Sequence, residues 1–206
     1  MHTVPINVSC FFDYICPFCY IGDARLQQIG KQYPLHIHWR FLEIHPDNPP
    51  EGRPLSELGY PPEQWAQMLA NIERMAKEDK LPLAPRTFTT NSRRALLLAQ
   101  TVLDERPTHF PALHAAIFRA YFLNGRNIGD PAILTALAEQ HAVADLLPLA
   151  WDDPQPLRKL LGHVEAAQAL GLSGVPALQI GGRVFGGAAS METLEQALLQ
   201  ARNEPS

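Results

Sequence analysis

The stretch Phe11-Phe12-Asp13-Tyr14-Ile15-Cys16-Pro17-Phe18-Cys19-Tyr20-Ile21-Gly22 decides how this chain is read. An extended apolar run ends in it, a helix begins in it, and two thiols stand three positions apart at the junction. That spacing on a first helical turn puts both sulfurs on one face, where they can close a disulfide. Cys16 stands where unsatisfied backbone N–H groups and the positive end of the helix dipole favour an anion, here a thiolate. Pro17 fits the first helical position, where its missing N–H costs nothing. A Cys-x-x-Cys pair serves either redox exchange or metal ligation, and the rest of the chain has to choose between them.

Working outward, Ile6, Val8, Cys10 and Phe12 alternate onto one face and predict a strand over 5–12. Cys10, the third cysteine, is read as a small buried hydrophobe on that face. A helix follows from 17 to about 32, with Ile21, Leu26 and Ile29 apolar and Tyr33-Pro34 closing it. Gly22 and Gly30 weaken this helix and point to close packing against a neighbour. Leu35 to Leu42 predicts a second strand with Leu35, Ile37, Trp39 and Phe41 on one side and His36, His38 and Arg40 on the other. One covered and one wetter face suits a sheet edge. Two strands joined by a helix are expected to run parallel with a right-handed crossover.

Glu43 to Pro62, with its proline clusters, reads as irregular chain leading out of this unit. Helical patterning then continues for about a hundred residues. Trp65, Met68, Leu69, Ile72 and Ala76 form one stripe; Phe110, Leu113, Ile117, Ala120 and Tyr121 form another. Asp130-Pro131 is an N-cap followed by proline, opening a helix through about His141. Leu157, Leu160, Leu161, Val164 and Ala167 make a further stripe ended by Gly171. Strand character returns in Pro176 to Ile180 and Arg183 to Phe185, around a Gly181-Gly182 turn. Ser190 caps a last helix carrying Met191, Leu194, Leu198 and Ala201.

The bulk properties exclude several classes. A chain of 206 residues suits one domain, or one domain with a large insertion. The 46% hydrophobic and 18% charged content provides an ordinary globular core. A formal net charge of −4 gives no reason to expect nucleic acid or an anionic membrane as partner. No run approaches the ~20 apolar residues of a membrane span. Met1-His2-Thr3-Val4-Pro5 lacks the basic start of a signal peptide, so a cytoplasmic location is expected. Three cysteines are too few for a disulfide-stapled scaffold, and in a reducing compartment a lone Cys-x-x-Cys is catalytic or metal-binding.

The order strand–helix–strand, helical block, helix–hairpin–helix, with Cys-x-x-Cys opening the first helix, resembles the DsbA family of thiol–disulfide oxidoreductases. The match is closest to the FrnE-like branch, whose active-site stretch resembles Asp13-Tyr14-Ile15-Cys16-Pro17-Phe18-Cys19-Tyr20-Ile21-Gly22. Asn91-Ser92-Arg93-Arg94-Ala95, Phe118-Arg119-Ala120-Tyr121-Phe122 and Ser173-Gly174-Val175-Pro176-Ala177 match as well. The resemblance implies an α/β protein with a thioredoxin fold split by a large all-helical insertion between its βαβ and ββα halves. Residues 1–45 and 165–206 would form the thioredoxin-like part and 60–164 the insertion.

The resemblance also makes Pro176 the cis-proline opposite the redox pair, with Val175 offering main-chain groups beside Cys16 to an extended substrate. Cys16 would then attack as thiolate and Cys19, one turn in and more shielded, would resolve the mixed disulfide. Pro17 and Phe18 shape the site. Asp13 is a candidate proton relay to Cys19, although an acid at a strand end also serves as an ordinary turn or cap. Asn91 is a candidate contact for a peptide or glutathione, or a plain helix cap. Thiol couples on this fold span ~150 mV, about 7 kcal/mol for two electrons, so fold alone does not set the direction of exchange. Phe18 stands where periplasmic oxidases of the family typically carry histidine, which implies a milder oxidant. The expected partners are protein or small-molecule thiols and disulfides. No cofactor is expected beyond the redox disulfide itself, with glutathione as a candidate co-substrate.

Two alternatives stand beside this reading. A kappa-like glutathione transferase or 2-hydroxychromene-2-carboxylate isomerase shares the split fold. Those enzymes resemble Ser-Pro where Cys16-Pro17 stands, and tend to carry an acid where this chain has Gly187-Ala188-Ala189. A metal-binding module would use Cys16, Cys19, His36 and His38.

Overall fold

Strand β1 (Ile6–Phe12) is the strand around which the chain assembles in the computed structural model, which describes residues 4–203. Ile6, Val8, Cys10 and Phe12 are buried on one face, as their alternation requires. Near its end the alternation stops, because Phe11 is buried too, packed with Ala167 and Ala177 on the opposite face. Both sides of the strand are thus dry where it delivers the chain to Asp13.

Helix α1 (Pro17–Ile29) carries the chain to β2 (Leu35–Phe41), which pairs parallel with β1 in the register Ile6↔Leu35 to Phe12↔Phe41. Strand β5 (Ala177–Ile180) lies antiparallel on the other side of β1, and β6 (Arg183–Gly186) closes the four-stranded sheet. The order β2-β1-β5-β6 leaves β2 at an edge, as its wetter histidine face predicted. Gly181 and Gly182 both take positive φ in the hairpin turn, and Ser190 Oγ accepts from Thr193 N–H at the start of α8 (Met191–Asn203).

Between β2 and β5 the chain is helical: α2 (Pro62–Glu78), α3 (Arg93–Glu105), α4 (Phe110–Phe122), α5 (Pro131–Gln140), α6 (Leu147–Trp151) and α7 (Pro154–Ala169). Asp130 caps α5 through Ala132 N–H at 2.8 Å, where the Asp-Pro pair placed the cap. Sheet and insertion share one continuous core, and Phe12 sits at the seam. Its ring meets Tyr14 at 5.2 Å, Trp39 at 5.4 Å, and His114 of α4 at 5.2 Å.

The structure departs from the sequence expectation in three places. Helix α1 stops at Ile29, because the chain tightens into short-range turns after Gly30 (Lys31 N to Gln28 O, Gln32 N to Ile29 O). The buried face of α7 is Pro156, Leu160, His163 and Ala167, while Leu157 and Leu161 are exposed. His163 sets that rotation: its Nδ1 accepts the Phe41 N–H at 3.1 Å, a bond that turns this side of the helix toward β2. The chain between β2 and α3 also contains a two-residue strand pair, β3 (Arg53–Pro54) with β4 (Phe88–Thr89), too short to leave a periodic signal.

Arg25 of α1 fastens the insertion to the sheet. Its Nε pairs with Asp79 Oδ2 just beyond α2 at 2.7 Å, and its Nη1 donates to the carbonyls of Ala188 and Ala189, each at 3.0 Å. Arg25 is buried and Asp79 is half-buried, with side-chain exposures of 6% and 14%, so losing one charge strands the other. Arg25→Met is therefore expected to lower unfolding stability by about 3 kcal/mol, read as a drop in the urea midpoint with the slope unchanged.

Candidate active site

Cys16 is the N-cap of α1, with extended backbone (φ −84°, ψ 118°), and Pro17 follows at the first helical position. The helix starts there because Cys16 O accepts from the N–H groups of Cys19 and Tyr20 at 3.0 and 3.2 Å. Cys16 Sγ donates to the carbonyl oxygen of Val175 at 3.5 Å. The peptide between Val175 and Pro176 is cis, and Pro176 lies against α1 at Gly22, where an added Cβ would touch its ring at 3.5 Å. That is ordinary van der Waals contact, so Pro176 does not require a glycine at position 22.

Cys19 sits one turn further in, with its Sγ accepting the Asp13 N–H at 3.5 Å. Burial pushes the Cys19 thiol well up, and its contact with Cys16 pushes in the same direction. The expected contrast in exposure is smaller than the sequence suggested: Cys16 is 5% exposed and Cys19 2%. Helix α2 of the insertion lines the far wall of the space that Cys16 faces. The difference that remains is one of direction. Cys16 opens onto a cavity of about 410 Å³ walled by Phe18, Tyr60, Trp65, Met68, Leu69 and Val175, among others, whereas Cys19 does not line it. Cys10 is buried in the sheet core, with its thiol pushed up by desolvation.

Asp13 is fully buried, and its carboxylate accepts from Ile44 N–H at 2.9 Å and Ile15 N–H at 3.3 Å. Burial outweighs those bonds and raises its pKa to about 7. Asn91 is committed within the protein. Its amide donates to Glu43 Oε1 and Pro46 O, and its Oδ1 accepts the Arg93 N–H, the pattern of a helix-start cap. His36 and His38 both approach Asn7 Oδ1 and lie opposite Asn7 and Ser9 in the register, toward the far end of β1 from Cys16. The ligand set of the metal-binding alternative is therefore not assembled. No group of three or more metal-ligating side chains gathers among the described residues.

Two polar groups near the motif escape a reading of the sequence. His114 of α4 bonds Tyr14 Oη through Nδ1 at 2.7 Å and Asp23 Oδ1 through Nε2 at 3.2 Å. In the neutral tautomer that satisfies both bonds, the tyrosine donates to Nδ1 and Nε2–H donates to the carboxylate. Arg86, in the loop between α2 and β4, donates from Nη1 to Ile15 O at 3.2 Å and lines the Cys16 cavity. It brings to the motif the positive charge that Phe18 does not carry. The only trace of either in the sequence was the Phe118-to-Phe122 stretch, whose rings Phe118, Tyr121 and Phe122 pack against Tyr14, His114 and Arg86.

Asp13 and His163 pull stability in opposite directions with pH. Desolvation first, then the charges of Arg40 and Lys159, lower the His163 pKa from 6.5 to about 4. Between those values the unfolded chain holds a proton that the folded chain refuses, so this contribution is lost as pH falls. Asp13 keeps its proton in the folded state from 3.8 up to about 7, so its contribution is lost as pH rises. Urea midpoints measured from pH 4 to 6.5 are expected to climb more steeply with pH in Asp13→Asn than in the parent protein. In His163→Gln they are expected to climb less steeply.

Comparison with known proteins places the fold and the family. Residues 7–199 match the DSBA-like thioredoxin domain. The chain is 27% identical over 203 residues to the uncharacterized protein YwbO of Bacillus subtilis (strain 168), covering 94% of this chain and 96% of that one. A Streptomyces coelicolor structure described as a probable DsbA oxidoreductase superposes with a TM-score of 0.84 at 23% identity, over 98% of this chain and 92% of that one. A 2-hydroxychromene-2-carboxylate isomerase superposes with a TM-score of 0.76 at 17% identity, over 95% of each chain. At those identities the two structures establish the fold. The match across nearly the full length carries the assignment: this chain belongs to the DSBA-like thioredoxin domain family.

Proposed function

We propose that this protein is a thiol–disulfide oxidoreductase that exchanges disulfides with protein or small-molecule thiol substrates through Cys16 and Cys19. The observation that supports this best is the asymmetry of the pair. Cys16 faces a substrate-sized cavity beside a free-running main-chain segment at Val175, and Cys19 is sealed behind it.

As a reductant, the Cys16 thiolate attacks one sulfur of a substrate disulfide. That S–S bond breaks, a Cys16–substrate disulfide forms, and the first substrate sulfur leaves as a thiolate and takes a proton. Cys19 then attacks the Cys16 sulfur. A Cys16–Cys19 disulfide forms and the second substrate thiol departs, so the substrate gains two electrons and the enzyme loses two. The reverse sequence oxidises a dithiol substrate. Asp13 supports the resolving step through its main chain, whose N–H donates to Cys19 Sγ and favours the thiolate there, while its carboxyl, raised to about 7, is held by the N–H groups of Ile15 and Ile44. In a reducing cytoplasm, a thiol of the glutathione class would return the enzyme to its dithiol form without a further cofactor.

Substituting the two cysteines separates their roles. Cys16→Ser is expected to abolish insulin reduction and thiol oxidation, while Cys19→Ser is expected to accumulate a mixed disulfide on Cys16 visible by intact-mass spectrometry. Wild-type rates in Cys16→Ser would show that the nucleophile is misassigned.

A further inference from the structure

No bond of the dithiol exchange is made or broken at one further group on the cavity wall, the guanidinium of Arg86. Its carbon lies 5.2 Å from the Tyr121 ring centroid and 4.8 Å from that of Phe122, so two aromatic faces hold it in place. One of its five N–H groups is bound, to Ile15 O, and among the described residues no carboxylate forms an ion pair with it. A desolvated guanidinium left without a counter-charge is costly to the fold and stays charged at any ordinary pH.

The rest of the cavity supplies no competing charge. His45, the other basic side chain on the wall, has its pKa lowered by desolvation and by Arg53, and is neutral at pH 7. The remaining wall is mostly apolar, led by Trp65, Met68, Leu69 and Ile72 from α2, with Tyr60 stacked on Trp65 at 5.9 Å. Leu69 belongs to the α2 stripe whose spacing fits core or groove alike; it is 39% exposed and faces this cavity. The site is thus an oily groove with one fixed positive centre, and that centre is hydrogen-bonded to the residue directly before Cys16.

We infer that Arg86 is an anion-recognition residue. It selects disulfides and thiols that carry a carboxylate close to the reacting sulfur and an apolar body to cover the α2 wall. This rests on the reading of Cys16 and Cys19 as a dithiol exchanger. The carboxylate docks on the free N–H groups of Arg86 by charge-assisted hydrogen bonds, which sets the neighbouring sulfur against Cys16.

Two aromatic disulfides test this directly. Dithiobis(nitrobenzoate) carries a carboxylate on each ring, and dithiodipyridine is neutral. With either reagent Cys16 displaces one aryl thiolate and Cys19 the second. Each turnover thus yields two aryl thiols and one Cys16–Cys19 disulfide, with two electrons passing from protein to reagent. The ratio of the carboxylate reagent's rate to the neutral reagent's rate is expected to fall roughly tenfold or more in Arg86→Met. Arg86→Lys, a cation without the planar fork, should retain part of it. A fall of both rates by the same factor would mean that Arg86 is structural and would overturn the inference.

The wild-type protein gives a second measurement that needs no variant. Benzoate should protect Cys16 from iodoacetamide and benzamide should not; equal protection would also overturn the inference. Peptide disulfides with aspartate or asparagine beside the cysteine then identify the source of the anion. A preference for aspartate that disappears in Arg86→Met assigns it to peptides, and a preference confined to the aromatic pair assigns it to small molecules. Undiminished reaction of Cys16→Ser with both reagents would instead remove the dithiol reading, leaving a result distinct from failure at Arg86.

Discussion

Cys16 and Val175 are 159 positions apart in the chain, yet the sulfur of one lies 3.5 Å from the carbonyl oxygen of the other. Everything else about the site depends on that approach. It is produced by the pairing of β1 with β5, which sets Phe11 opposite Ala177 and so brings the residues just before β5 alongside those just after β1. The pairing is held in register by burial on both faces of β1 near its end, since a one-residue slip would exchange Phe11 with Phe12 and empty both cores. A dry strand end is also what buries Asp13 and Cys19 and raises their pKa values. Topology, packing and thiol chemistry meet at one place because a single strand is covered on both sides there.

The helical insertion contributes chemistry as well as a wall. It sends His114 to Tyr14 and Asp23, Arg86 to Ile15, and Asp79 to Arg25, so four polar contacts from three side chains bind it to the Cys16 loop and to α1. Each is expensive to bury and each is satisfied or oriented by the opposite half of the molecule. The core is continuous across the same boundary, with Phe12 and Tyr14 from the sheet side packed against Phe118 from α4. A substrate in the cavity would therefore touch the thioredoxin-like half through Cys16 and Val175, and the insertion through Arg86 and the α2 wall.

What could be read in advance followed from local rules. Alternation gave β1 and β2, caps and prolines gave the helix starts at Pro17 and Pro131, paired glycines gave the hairpin turn, and spacing placed Cys16 and Cys19 together on the first turn of α1. The periodicity of α7 was legible while its orientation was not, because Leu157 and Leu161 are as apolar as Leu160. A hydrogen bond from Phe41 to His163 decided which side faced inward. Likewise the stripe on α2 could not distinguish core from groove, since both demand apolar residues. Asn91 had two readings in the sequence, and its bonds to Glu43, Pro46 and Arg93 give it a structural occupation.

By itself, then, the sequence determined the succession of elements and the identity of the two sulfurs, since strands, helices and a three-residue thiol spacing depend on neighbours along the chain. The tertiary structure alone decided the environment of those sulfurs. Arg86 and His114 reach the motif from 71 and 100 residues away in sequence, where no periodic or spacing rule carries information; Val175, 159 residues away, was placed beside Cys16 in advance only by the family resemblance. Burial, field and hydrogen bonding at Cys16 are set by groups that become neighbours only when the chain has folded.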